Sequence, residues 1–339
     1  MIRESALLTV DSLKIGLKRK GSILPAVEDL SFEIRRGETL AVVGESGCGK
    51  SISMLSLLGL LPQRDWDVRG SARFENRNLI GLPDKDLQRI RGSRIGFIFQ
   101  DATAAFNPVL PVGYQIAEVL TSHSSLSVAA AEKRAVELLD RVHVPEPDRR
   151  ARDYPHQLSG GQRQRAMIAM ALACDPVLLI ADEPTTALDV TVQAQILHLL
   201  LSLQKEREMA LVLITHDLGV VANMADRVLV MYAGRKIEEQ PVGDLIEAPV
   251  HPYTKALLAA RPHLSGGAGR HQRLNVIPGA VPPLGEWPQG CTFAPRCAFA
   301  MDRCRAERPV ETVAGGLKVA CHLAQYPQHE IILQEVANA

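Results

Sequence analysis

The fold is decided by the stretch Gly44-Glu45-Ser46-Gly47-Cys48-Gly49-Lys50-Ser51. It follows a short apolar run, Thr39–Val43, and precedes Ser51–Leu61, whose pattern predicts a helix. A glycine-rich loop between a strand and a helix curls so that its backbone amides point at phosphate oxygens, and the helix dipole favours negative charge there. In this pattern Lys50 reaches the β- and γ-phosphates and the Ser51 hydroxyl is a magnesium ligand. The sequence therefore predicts that these eight residues bind a nucleoside triphosphate with Mg²⁺.

An acidic pair, Asp182-Glu183, follows the apolar run Val177–Ala181. A carboxylate at a buried strand end can hold Mg²⁺, which suits Asp182. The adjacent Glu183 suits a base that polarises an attacking water. A solvated acidic turn before Pro184 is the alternative interpretation, and the phosphate-binding loop favours the catalytic one.

Strand and helix patterns alternate along the chain, which predicts an α/β core with a largely parallel sheet. A continuous block from 101 to 173 has a helical pattern and interrupts this core. The strand patterns are Leu7–Ile15, Ala26–Ile34, Thr39–Val43, Ile95–Phe99, Val177–Ala181, Leu211–Thr215 and Val228–Tyr232, and a helix is predicted over Val192–Glu208.

The stretch Leu158-Ser159-Gly160-Gly161-Gln162 lies between the phosphate-binding loop and the acidic pair. With these three elements in this order, the chain resembles the ATP-binding subunits of ABC transporters, which have a P-loop (RecA-like) core. The resemblance implies that two such subunits enclose ATP between them. It also implies that Ser159, Gly160, Gly161 and Gln162 form the signature motif, which binds the γ-phosphate of ATP held by the opposite subunit.

Three more residues take their expected roles from this resemblance. Gln100 matches the glutamine that contacts Mg²⁺ and water and senses the membrane partner. Asp189, in Thr186-Ala187-Leu188-Asp189, matches the D-loop aspartate at the dimer interface. His216 matches the switch histidine that contacts the γ-phosphate; a histidine at a strand end is otherwise usually structural. A second Leu-Ser-Gly-Gly, at 264–267, has no glutamine after it and is interpreted as part of a linker that includes Ser265–Gly269.

Two stretches resemble the dipeptide, oligopeptide and nickel importers within this family. They are Asp101–Pro108, which also has the pattern of a simple Asn-Pro turn, and His251–Leu258, after which Ile277-Pro278-Gly279 and Val281-Pro282 continue the match. The resemblance implies a second ATPase subunit, usually a different chain, two transmembrane permeases, and indirectly an extracytoplasmic solute-binding protein. The predicted domains are an ATPase core (1–100 and 174–248), a helical signature subdomain (101–173) and a C-terminal extension (249–339).

Four of the six cysteines lie in the last fifth of the chain: Cys291, Cys297, Cys304 and Cys321. In a reducing cytosol such a group is more often a metal site than a set of disulfides. Four thiolates suit tetrahedral zinc or an iron–sulfur cluster, and the paired cysteines usual in zinc ribbons are missing. The subfamily resemblance implies a four-iron four-sulfur cluster, with zinc and free cysteines as alternatives. The neighbouring His322 is expected to be a bystander.

Two features depart from the usual pattern or invite a second interpretation. The family stacks adenine on an aromatic side chain before the phosphate loop, yet Met1 to Ser31 contains none, and Ile23 or Leu24 takes that position. Since stacking of a base on an aromatic ring contributes about 1–3 kcal/mol, we expect weaker discrimination between ATP and GTP.

Cys48, within the phosphate-binding loop, is expected to be a small filler residue. A redox switch is the alternative, because a helix N-terminus lowers a thiol pKa.

Composition and charge limit the class of protein. The chain has 339 residues, of which 46% are hydrophobic, and its 38 Lys and Arg balance its 38 Asp and Glu. The lack of a basic excess argues against nucleic acid as a partner, although a soluble ABC ATPase acting on nucleic acid or the ribosome stays as the alternative function. No apolar run is long enough to cross a bilayer, and the N-terminus lacks a signal-peptide pattern. We therefore expect the chain to stay in the cytosol, and the family resemblance implies a peripheral position on the cytoplasmic face of the plasma (inner) membrane.

Overall fold

The computed structural model describes residues 6–186, 188–260, 277–314 and 316–325. The chain divides into two compact units. The first unit contains the described residues within 6–8, 33–39 and 73–214, and the second contains those within 9–32, 40–72 and 215–325.

The helices and strands have the following bounds. The strands are β1 (Leu8–Arg19), β2 (Ser22–Ile34), β3 (Thr39–Val43), β4 (Trp66–Phe74), β5 (Arg77–Asn78), β6 (Ile95–Ile98), β7 (Leu178–Asp182), β8 (Ala210–Ile214), β9 (Arg227–Tyr232), β10 (Arg235–Pro241), β11 (Thr312–Ala314) and β12 (Leu317–Val319). The α-helices are α1 (Lys50–Leu57), α2 (Asp84–Gln88), α3 (Ala102–Ala105), α4 (Val112–His123), α5 (Val128–Arg141), α6 (Pro147–Arg150), α7 (Gly160–Ala171), α8 (Val190–Arg207), α9 (Leu218–Met224), α10 (Val242–Glu247), α11 (Pro252–Ala259) and α12 (Asp302–Ala306).

The first unit contains three parallel strands, with β7 between β6 and β8. Every residue of β7 and β8 is buried, including Asp182 at the end of β7. Parallel strands covered on both faces need continuous apolar runs, which is why the sequence signal for these two strands is strong. The predicted α/β fold is confirmed.

Helices α4, α5 and α7 of the first unit pack against one another. Helix α5 begins after Ser127, whose hydroxyl accepts a hydrogen bond from the Ala130 amide at 3.3 Å. Its buried residues, Ala131, Ala135, Leu138 and Leu139, recur at helical spacing and form one apolar stripe.

In the second unit, β3 pairs in parallel with β9, and β10, β12 and β11 follow as antiparallel strands. The sequence patterns did not predict β10, because its residues Glu238, Glu239 and Gln240 are polar although they are at most 3% exposed. Polar partners explain their burial: Glu239 contacts Lys236 at 2.8 Å and Arg227 at 2.7 Å, and Glu238 accepts hydrogen bonds from the Gln240 side chain and the His251 amide, both at 3.0 Å. Strands β2, β1 and β4 lie side by side in this order.

Three aromatic rings form the centre of the second unit's core. Tyr232, at the end of β9, lies 4.8 Å from Tyr253 and 5.2 Å from Phe293, measured between ring centroids. Tyr253 belongs to α11, and Phe293 to the C-terminal segment, which is defined as residues 277–325. Edge and tilted contacts of this kind stabilise a core beyond simple burial.

The element bounds differ from the sequence expectations mainly at their ends. Helix α1 ends at Leu57 and not at Leu61, because Gly59 has a φ of +60° that a helix does not continue through. The predicted linker Ser265–Gly269 and the second Leu-Ser-Gly-Gly lie outside the described residues. Within the described ranges, no helix combines the length and the apolar character that a membrane span requires.

Candidate functional site

The phosphate-binding loop, residues 44–51, connects β3 to α1 in the second unit. Gly44 has a φ of +151°, and a Cβ on it would lie 2.2 Å from the Met231 carbonyl oxygen. Gly49 caps α1 with a φ of +100°, in the left-handed region. Glycine is required at both positions, since a side chain would clash at the first and be strained at the second.

The side chain of Lys50 contacts the backbone at the start of this loop. Its Nζ donates hydrogen bonds to the carbonyl oxygens of Gly44, at 2.8 Å, and Glu45, at 3.0 Å. The side chain therefore points into the curve of the loop, where the phosphates of a nucleotide bind in this type of loop. Burial raises the pKa of the Cys48 thiol. A buried, protonated thiol is a poor nucleophile, which favours the filler role of Cys48 over the redox switch.

Glu45, the second residue of the loop, is held by two residues far away in sequence. The terminal nitrogens Nη1 and Nη2 of Arg296 donate hydrogen bonds to its carboxylate oxygens Oε2, at 2.6 Å, and Oε1, at 3.0 Å. The Tyr253 hydroxyl accepts a hydrogen bond from the Glu45 amide at 2.9 Å. Hydrogen bonding to the Glu45 carboxylate raises the pKa of Arg296. Arg296 and Tyr253 have no predicted role, because they lie 251 and 208 residues from Glu45 and no sequence pattern indicates contacts over such separations.

The acidic residues expected to be catalytic lie at the end of β7 in the first unit. Asp182 is 5% exposed, and Glu183 follows it with a φ of 45°. Two donors contact Oε2 of Glu183: the Gln100 side-chain amide at 3.0 Å and the Thr186 hydroxyl at 3.0 Å. The structure therefore brings Gln100 and Glu183, which are 83 residues apart, into direct contact.

The signature residues form the beginning of α7. The Ser159 hydroxyl accepts a hydrogen bond from the Gln162 amide at 3.3 Å, and the Gln162 side chain accepts one from the Ser159 amide at 3.0 Å. This reciprocal pair is a capping box, in which the side chain of each residue accepts a hydrogen bond from the backbone amide of the other. Gly161 lies against α8, since a Cβ added to it would be 2.9 Å from the Val192 side chain. Asp189 caps α8: its carboxylate accepts a hydrogen bond from the Val192 amide at 3.0 Å. The signature and the D-loop aspartate therefore both lie close to Val192. Ala187 lies outside the described residues.

Arg163, one residue after the signature, connects it to the segment that follows Gln100. Its guanidinium donates to the carbonyl oxygens of Pro155 and Leu158, at 3.0 Å and 3.1 Å, and to the Thr103 hydroxyl at 2.8 Å. This role of Arg163 is not predictable from the sequence, because an arginine on a helix normally indicates only a solvated face.

His216 follows β8 and belongs to the second unit, where its ring is exposed. The next residue, Asp217, begins α9 by accepting hydrogen bonds from the amides of Gly219, at 2.7 Å, and Val220, at 3.3 Å. His216 therefore precedes a capped helix in a short, defined turn.

The four C-terminal cysteines all line one small cavity, together with His322. Burial raises the pKa of Cys297 to about 11 and that of Cys321 to about 12. The His322 ring donates from Nε2 to the Glu307 carbonyl oxygen at 3.1 Å, while its buried Nδ1 has no hydrogen-bond partner. Across the described part of the chain, however, no group of three or more His, Cys, Asp or Glu side chains has an arrangement that could hold a metal ion.

The comparisons with known proteins agree with these local features. Residues 27–186 match the family model described as ABC transporter, and residues 237–304 match the model of the oligopeptide/dipeptide transporter C-terminal region. A putative peptide import ATP-binding protein of Brucella melitensis is 47% identical over 98% of this chain and 99% of its own length. An oligopeptide transport ATP-binding protein of Salmonella typhimurium is 48% identical over 94% of this chain and 93% of its own length.

Solved structures give the same fold. An ATP-binding cassette, determined as a dimer in a post-hydrolysis state with ADP and phosphate, is 30% identical with a TM-score of 0.62, over 69% of this chain and 98% of that one. Together with the phosphate-binding loop, the Gln100–Glu183 contact and the capped signature helix, these similarities show that the chain belongs to the ATP-binding subunits of ABC transporters.

Proposed function

We propose that this chain hydrolyses ATP to drive the import of peptides or a related small solute. The observation that carries the proposal is the 47% identity to a peptide import ATP-binding protein along nearly the entire chain. In the proposed assembly, two ATPase subunits enclose ATP and act on two permeases at the cytoplasmic face of the inner membrane. An extracytoplasmic solute-binding protein delivers the substrate. Relatives named for peptide import favour this function over the nucleic-acid alternative.

The proposed residue roles follow from the chemistry of each group. The loop residues 44–51 bind the phosphates, with Lys50 on the β- and γ-phosphates. Ser51, Asp182 and Gln100 would hold Mg²⁺, which supplies positive charge to the reacting phosphate when it is bound. All three offer oxygen ligands, which Mg²⁺ prefers.

Glu183 is the proposed base that polarises the attacking water. The contacts from Gln100 and Thr186 support this role, because both donate to the same oxygen, Oε2, and so orient the carboxylate. His216 contacts the γ-phosphate. The signature residues and Asp189 act on the ATP of the opposite subunit.

A groove in the helical part of the first unit supports the proposed permease contact. It has a volume of about 780 Å³ and is lined by residues that include Leu110, Pro111, Tyr114 and Val136. Tyr114 is 48% exposed. We assign residues 101–173 as the helical signature subdomain and this groove as the surface that faces the permeases, since exposed apolar patches mark binding surfaces.

The C-terminal extension is proposed to hold an iron–sulfur cluster. Four thiols on one cavity are the donor set of such a cluster, although the described side chains, as they are placed, are not arranged to hold a metal ion. Burial raises the pKa of the Cys291, Cys297 and Cys321 thiols, and nearby backbone amides act in the opposite direction, as donors around cluster thiolates would. The unpartnered Nδ1 of His322 also fits a cavity that holds a further group. A cluster would hold these side chains in place, and zinc is the less favoured occupant.

Two experiments test the proposed function. The first is affinity purification of this chain in mild detergent from its native membranes, with identification of the proteins that accompany it. Two polytopic permeases and a second ATPase are expected, whereas RNA or only soluble partners would contradict the importer. The second is ATP hydrolysis by the purified assembly, which the Glu183→Gln variant should lack.

A further inference from the structure

An acidic side chain in a phosphate-binding loop creates an electrostatic problem. Glu45 is the second residue of the loop, and its carboxylate is 29% exposed. A carboxylate beside a loop that receives a triphosphate repels it, by an amount that grows with the phosphate charge and falls with distance and solvent screening.

Arg296 is placed to remove this repulsion. Its side chain is only 4% exposed and makes a two-pronged ion pair with Glu45, the geometry for which guanidinium is suited. Three other acceptors fix the guanidinium: the carbonyl oxygens of Pro278, at 2.8 Å, and Ile277, at 3.3 Å, and the Tyr232 hydroxyl, at 3.3 Å. The arginine is therefore held in one orientation by the C-terminal segment together with Tyr232 of β9.

The backbone around Arg296 lies between two of the cavity cysteines. A short 3₁₀ turn, Ala294–Arg296, separates Cys291 from Cys297. The Ala294 amide donates to the Cys291 carbonyl at 3.0 Å, and the Arg296 amide donates to the Phe293 carbonyl at 2.9 Å. The position of the guanidinium thus depends on the turn that the cysteines flank.

A second contact joins the C-terminal segment to the same loop. The Trp287 ring covers Gly234, where an added Cβ would lie 2.4 Å from the ring. The Gly234 amide donates to the Cys48 carbonyl at 3.0 Å. The C-terminal segment therefore supports the loop directly at Glu45 and, through Gly234, at Cys48.

We propose that Arg296 is a positioning residue of the nucleotide site, which neutralises Glu45 so that the loop accepts a triphosphate. The affinity for ATP then depends on the C-terminal segment and not on the ATPase core alone. This inference rests on the proposed function of the loop as the ATP-binding site.

If Arg296 acts by neutralising the Glu45 charge, its variants should change the ATP affinity differently than if the ion pair only held the loop in shape. Arg296→Met leaves the Glu45 charge uncompensated and should weaken ATP binding, whereas Glu45→Gln leaves the arginine charge and should keep or strengthen it. The double variant has neither charge and should recover. If the pair served only to hold the loop in shape, all three variants would bind more weakly.

The experiment is equilibrium binding of ATP, ADP and AMP to the full chain and to these variants. For Arg296→Met we expect the Kd for ATP to rise about tenfold, the size of effect that one partly screened charge gives. The rise should be smaller for ADP and absent for AMP. The double variant Glu45→Gln with Arg296→Met should bind ATP within about threefold of the parent chain. Arg296→Lys restores the charge but not the two-pronged geometry, so it should regain only part of the affinity.

Arg305→Met is the matched control, since Arg305 belongs to the same segment but its side chain is 70% exposed. Its ATP affinity should equal that of the parent. An Arg296→Met variant with parental ATP affinity, or a double variant as weak as Arg296→Met, would overturn the inference. If Arg296→Met does not fold, weakened ATP binding by Glu45→Gln would overturn it as well. Failure of the parent chain itself to bind ATP would instead contradict the proposed function.

Discussion

The hydroxyl of Tyr253 offers a sharp test of how the phosphate loop is held. The side chain is completely buried, and its oxygen accepts a hydrogen bond from the Glu45 amide at 2.9 Å. Tyr253→Phe keeps the ring that packs against Tyr232 and Phe293 and removes only this acceptor. A buried amide without a partner costs about 1–3 kcal/mol. Because Glu45 is half-buried and water can partly replace the hydroxyl, we expect a loss of about 1–2 kcal/mol in the free energy of unfolding.

Urea unfolding measures this loss as the shift of the midpoint at an unchanged slope. Tyr114→Phe is the control, since Tyr114 is 48% exposed and its hydroxyl should contribute less than about 0.5 kcal/mol. ATP binding should weaken in Tyr253→Phe, because the amide at the start of the loop is no longer fixed. A stability change as small as that of the control, with parental ATP affinity, would refute the reasoning. A loss above about 4 kcal/mol would instead indicate that the ring itself had moved, as in large-to-small core substitutions.

Three other predictions concern the chemistry of the chain. Glu183→Gln should retain ATP binding and lose phosphate release, and a normal release rate would disprove the role of Glu183 as the base. Serine in place of Cys291, Cys297, Cys304 and Cys321 should abolish the iron and acid-labile sulfide found after anaerobic purification; zinc without sulfide in the parent chain would favour the alternative occupant. Because no aromatic residue precedes Phe32, GTP should compete with ATP unusually well in direct binding, and a strong preference for ATP would contradict this expectation.

The features predicted correctly from the sequence are those whose physical cause is local. The glycines of the phosphate loop are required by backbone angles within that loop, so their spacing alone identifies it. Strands β7 and β8 are buried on both faces, and this burial forces continuous apolar runs that are visible in the sequence.

The features that were missed depend on partners distant in sequence. Strand β10 resembles an exposed segment, because only the folded chain supplies the basic side chains that neutralise Glu239. The role of Arg296 depends on Glu45, which precedes it by 251 residues. A charged residue has no sequence period that reveals whether it will be buried in an ion pair or solvated.

The signature motif shows how one set of residues meets a structural and a chemical requirement together. Ser159 and Gln162 satisfy each other in the capping box, and this fixes where α7 begins. The amides of Gly160 and Gly161 then lie in the first turn, where helix amides have no acceptor within the helix and the dipole favours an anion. Arg163 joins this helix end to Thr103, close after Gln100. Through this contact, a change in the segment after Gln100 would reach the amides that we propose bind the partner's γ-phosphate, and the proposed permeases would have a physical route to the signature.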